Sequence, residues 1–85
     1  MKDKELILRT HFGLIDLIAF KIIMEERGWV IVTNQINSST HVIVYESEDD
    51  HSWEEPMCSA LDFSFEKAFL ACLMKIQEYY KTKSI

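Results

Sequence analysis

Trp29–Tyr45, W-V-I-V-T-N-Q-I-N-S-S-T-H-V-I-V-Y, sets two β-branched and aromatic runs around a polar centre. Trp29–Thr33 and His41–Tyr45 read as strands, because branched and aromatic side chains suit a pleated, half-buried surface. Between them Asn34–Thr40 is rich in Asn, Ser and Thr, residues that bend a chain by bonding to their own backbone, so the pair reads as a hairpin with a longish loop. Period-two alternation puts Val42 and Val44 on one face, and His41, Ile43 and Tyr45 on the other.

Outward from the hairpin the periodicity changes. Toward the N-terminus, Lys4–Arg27 reads as helix, closed by Gly28 as the residue just beyond its end. Gly13 weakens the middle. Either the helix begins near His11 with Thr10 as its cap, or Leu6–Leu8 form a separate turn or short strand. From Leu14 to Met24 apolar residues point almost all round a helical wheel, whereas an ordinary surface helix carries one apolar stripe. That surplus predicts cover from more than one side and a homodimer as one way to supply it.

Beyond the hairpin, Glu46–Glu55 is polar and acidic, and Pro56 stops ladder donation, so Met57–Leu61 is expected to be a short third strand at an edge. Ser64 then caps a last helix with Glu66 in its first turn. Phe65, Ala68, Phe69, Cys72, Leu73, Ile76, Tyr79 and Tyr80 recur at the three-and-four spacing of one buried face. Leu70 and Met74 lie one turn apart on the opposite side, as candidate contact residues. The expected fold is α+β, two helices packed on a three-stranded antiparallel sheet in the order α-β-β-β-α, with residues 1–85 as a single domain.

Composition narrows the function. Of 85 residues, 14 are Asp or Glu and 9 are Lys or Arg, a net charge of −5 that repels a phosphate backbone at long range. The apolar-rich stretch Phe12–Met24 contains Asp16 and Lys21 and is shorter than the ~20 residues of a membrane span. The residues after Met1 lack the pattern of a secretory signal, and two cysteines, Cys58 and Cys72, make no disulfide framework. A cytoplasmic chain with free thiols and no membrane is expected.

Catalysis needs convergent groups. The sequence has no H-E-x-x-H, C-x-x-C, G-x-S-x-G or phosphate-binding glycine loop, and His11, His41 and His51 fall on a helix, a strand and the acidic loop. A metal- or thiol-dependent enzyme is therefore the third choice, and neither a catalytic residue, a metal ligand nor a cofactor is assigned. The densest charge feature is the run Glu46–Glu55, with 6 carboxylates. It lacks the spacing and central glycine of a calcium loop. Clustered carboxylates steer encounter with cations, and an exposed tryptophan can anchor an interface. Glu48, Asp49, Asp50, Trp53 and Glu54 are thus the candidate docking residues for a basic protein partner, with Leu70 and Met74 as secondary candidates. The expected function is a non-enzymatic protein-binding module, a regulator or inhibitor.

Two resemblances bear on this expectation. The element order and length resemble the double-stranded-RNA-binding domain, which implies RNA binding as the alternative function. That family uses a Gly-Pro-x-His loop between its first strands and a lysine cluster opening its last helix. Here the loop reads Asn37-Ser38-Ser39-Thr40-His41, and the helix opens Phe65-Glu66-Lys67-Ala68 with a single lysine. Shape recognition of A-form RNA rests on phosphate and 2′-hydroxyl contacts, so without those cations no duplex-RNA complex is expected. The run Glu66–Leu73, E-K-A-F-L-A-C-L, is similar to the closing helix of small phage-encoded sandwich proteins, which implies an accessory protein of uncharacterised function, and small acidic phage proteins often act by blocking a host protein.

Overall fold

The computed structural model describes residues 2–46 and 56–83. Its elements run α1 (Lys2–Arg9), a 3-10 turn (Phe12–Leu14), α2 (Leu17–Glu26), β1 (Val30–Ile36), β2 (Ser39–Tyr45), β3 (Cys58–Asp62) and α3 (Phe65–Lys83). The three strands form one antiparallel sheet in the order β1-β2-β3, so the expected α-β-β-β-α arrangement is present.

The first helical segment differs from both expectations for it. It is two helices joined by the 3-10 turn, and Leu6–Leu8 belong to α1 rather than to a turn or strand. The cap of α2 is Asp16, not Thr10: its carboxylate accepts from the backbone N–H of Ile18 at 3.0 Å and of Ala19 at 3.3 Å. Thr10 instead ends α1, its N–H and hydroxyl both donating to Leu6 O at 3.2 and 2.6 Å. A carboxylate satisfies the orphan N–H groups and the dipole of a helix start together, which favours Asp16 over a threonine six residues upstream.

The C-terminus of α2 is built as expected. Gly28 has φ +99°, and its N–H donates to Glu25 O at 3.1 Å while Trp29 N–H reaches back to Met24 O at 3.1 Å. This double closure is the Schellman motif, and Met24 and Trp29 are both buried beside it in the core.

The hairpin is tighter than its sequence suggests. The ladder continues past Thr33 through Asn34↔His41, Gln35↔Thr40 and Ile36↔Ser39, leaving Asn37 and Ser38 as a two-residue turn. Asn37 has φ +58°, a left-handed conformation that asparagine tolerates well, and this lets the polar residues before it remain in the strand. The third strand lies one residue beyond its expected span and pairs with β2, Val44 facing Cys58 and Val42 facing Ala60.

Helices α2 and α3 cover one side of the sheet, α2 over β1 and α3 over β2 and β3, while α1 lies against α3. The core fills the space between. Val42 and Val44 from the sheet meet Ala68, Phe69, Cys72, Leu73 and Ile76 from α3, with Ile7, Phe20, Met24 and Trp29 closing the sides. Phe65 and Phe69 stack with ring centroids 5.2 Å apart. Ser64 caps α3 as expected, its hydroxyl accepting from Lys67 N–H at 3.2 Å. Tyr79 is a correction: it is 48% exposed, whereas Tyr80 is buried and donates to Glu46 Oε2 at 3.0 Å. The apolar face of α3 drifts round the helix by the fourth turn, because four-residue steps overshoot 3.6.

Candidate functional site

Three places in the molecule could carry function. The first is the open face of the sheet. Alternation and register put Val30, Val32, Asn34 and Ile36 of β1 on it, beside Ser39, His41, Ile43 and Tyr45 of β2 and Ser59 and Leu61 of β3. None of these is Asp, Glu, Lys or Arg, in a chain where 27% of residues are charged. Leu61 is 57% exposed. Among the described residues no helix lies on this side.

The second is a groove of about 550 Å³ between the end of α1, the 3-10 turn and α3, lined in part by Arg9, His11, Leu70, Met74, Gln77 and Lys81. Leu70 and Met74 thus share one concavity. Leu70, however, is half-buried against the core and only Met74 is exposed, so the two do not form the exposed pair that helical spacing suggests. Gln77 has a structural task here. Its side-chain amide donates to Ile7 O at 2.9 Å, Thr10 O at 3.1 Å and Leu8 O at 3.4 Å, so α3 supplies the C-terminal cap of α1. Arg9 bonds Glu5 at 3.0 Å in an exposed pair, which contributes little to stability.

The third is a pair of thiols between β3 and α3. Cys72 is fully buried and Cys58 half-buried. Cys72 Sγ lies 3.7 Å from Val42 O, and Lys75 Nζ donates to Ser59 O at 3.3 Å, on the residue after Cys58. A hydrogen bond from Cys72, joined by the charge of Lys75, holds the Cys58 thiol down at about 7 despite its partial burial. The same bond, and burial, push the Cys72 thiol far up.

Neither His11 nor His41 joins this pair. His41 sits on the open face, across the sheet from both cysteines, and His11 lines the groove on another side of α3. No cluster of three metal-ligating side chains occurs among the described residues. The candidate docking residues Glu48, Asp49, Asp50, Trp53 and Glu54 lie outside the described residues, as does His51. No described helix is long and apolar enough to cross a membrane.

Comparison with known protein families, with curated proteins and with solved structures finds no match.

Proposed function

We propose that the chain is a non-enzymatic protein-binding module, and that its docking surface is the open face of the sheet, taken by a second copy of the chain. The observation that carries this reading is the absence of charge from that face. Each copy bears a net charge of −5, so most surfaces would bring like charges together on self-association. The sheet face brings none. The outer side of α2 is the competing apolar surface, with Ile18 and Ile22 about half exposed. It interleaves Lys21, Glu25 and Glu26 with those isoleucines, so pairing it with itself desolvates charges.

Size sets the strength. Three strands at ~4.8 Å spacing and seven residues at ~3.4 Å rise give a projected face of about 14 by 24 Å, or ~340 Å². A standard interface uses ~800 Å² per partner. The face thus supports a concentration-dependent dimer, two sheets stacked about 10 Å apart, rather than an obligate one.

Sedimentation equilibrium from low micromolar to millimolar chain tests this. The parent should pass from monomer to dimer, and Ile43→Glu should stay monomeric with an unchanged far-ultraviolet spectrum, since Ile43 faces away from the core. A parent that is monomeric throughout would sink the reading.

The acidic run supports a further partner for the same module, a cationic protein met through Glu48, Asp49, Asp50, Trp53 and Glu54, as a regulator or inhibitor would use. Duplex RNA is the weaker alternative, because the hairpin turn is Asn37-Ser38 and the start of α3 offers Lys67 alone.

A further inference from the structure

We propose that Cys58 and Cys72 form a redox site, which a hydroperoxide converts into an intramolecular disulfide joining the edge strand β3 to α3.

The placement carries the idea. Cys58 lies on the helix-facing side of β3, opposite Val44, and α3 packs directly over that strand. Cys72 points from α3 into the same layer, its Sγ 3.7 Å from Val42 O, and Val42 stands two residues from the Val44 that faces Cys58. The two thiols divide the labour that peroxide chemistry requires. Cys58 is half-buried and thus within reach of a small oxidant, and Lys75 brings a positive charge to its side. Cys72 is sealed in the core, where it meets no oxidant directly and stays protonated as a reserve thiol.

The step balances. The Cys58 thiolate attacks one peroxide oxygen, the O–O bond breaks, and hydroxide leaves to be protonated to water, giving a sulfenic acid on Cys58. Cys72 sulfur then attacks the Cys58 sulfur, the S–O bond breaks, and the departing hydroxide takes the Cys72 proton as a second water. Two thiols and one hydroperoxide give one disulfide and two waters (one water and one alcohol from an alkyl hydroperoxide), with two electrons passing from sulfur to oxygen.

Hydrogen peroxide itself serves as the probe, at stoichiometric concentration, with excess iodoacetamide added after denaturation. Lys67 lies between the two cysteines, so trypsin releases them on separate peptides, 28–67 and 68–75. The expected product is one chain lighter by two hydrogens whose digest contains those peptides linked. A chain that keeps both thiols, carries a sulfinic acid on Cys58 beside a free Cys72, or links only to another chain would overturn the proposal. A second readout is the pH dependence of Cys58 alkylation in the folded protein. Its midpoint should lie at about 7 in the parent. In Cys72→Ala it should move toward the ~8.5 of a free cysteine. In Cys72→Ser, peroxide should leave a sulfenic acid on Cys58 that dimedone traps. A midpoint indifferent to residue 72 would mean the sulfurs are neighbours without being partners.

Discussion

Adding one methyl group to each of the two glycines should move stability in opposite directions. Gly28 closes α2 at φ +99°, and a Cβ built there meets nothing within 4 Å. Any cost of Gly28→Ala is thus backbone strain alone. An L-residue in the left-handed region costs roughly 1–2 kcal/mol. A φ of +99° is further from the favoured +57° than an ordinary left-handed residue, which places the substitution at the upper end of that range. Gly13 also has open space around its Cβ position, but it lies in the 3-10 turn, where an L-residue is at ease. There alanine reduces the freedom of the unfolded chain and should add about 0.4–1 kcal/mol. For a domain of this size each kcal/mol is worth ~4–8 °C of melting temperature. Gly28→Ala should therefore melt roughly 8–16 °C lower and Gly13→Ala about 2–8 °C higher, read by circular dichroism at one protein concentration. A synthetic chain with D-alanine at 28 should melt at or above the parent, because the mirror-image residue prefers positive φ. If the two L-alanine variants shift the same way, the closure of α2 does not depend on Gly28 as described.

Phe69→Ala removes a fully buried ring stacked on Phe65 and should cost about 3–5 kcal/mol, against a total near ~4–13 kcal/mol for 85 residues. A variant melting like the parent would mean that the buried face of α3 is misassigned. Gln77→Leu keeps the bulk of the side chain but removes the donors that cap α1, and should cost about 1–3 kcal/mol. Hydrogen exchange should quicken in α1 while the sheet amides keep their protection; unchanged exchange in α1 would refute the capping role.

What the sequence shows about the fold follows from how local each cause is. Val42 and Val44 against Ile43 and Tyr45 is a pattern of neighbours, and the alternation is present as read. Gly28 and Ser64 act within a few residues of themselves, and both do what their types imply. The start of α2 is less legible, because Asp16 competes with Thr10 six residues upstream and only the break at Gly13 hints at two helices. The hairpin loop is shorter than composition suggests, because Asn34 and Gln35 are polar yet the positive φ at Asn37 fixes the register and draws them into β1. Site features depend on more distant causes. The contact between Cys58 and Cys72 needs the register of β3 and the rotation of α3 together. Leu70 and Met74 look alike on a helical wheel, yet α1 and the 3-10 turn cover one more than the other. The uncharged sheet face is visible only once all three strands stand side by side.

The cap that Gln77 places on α1 joins backbone groups 67 to 70 residues away in the chain. Isolated helices shorter than ~12–15 residues are marginal in water, and α1 has 8 residues. During synthesis α1 therefore leaves the ribosome well before α3 and is secured only once the chain has emerged past Gln77. Its apolar Leu6-Ile7-Leu8 stretch stays uncovered over that interval, and a chaperone that recognises short apolar segments would find its opening there.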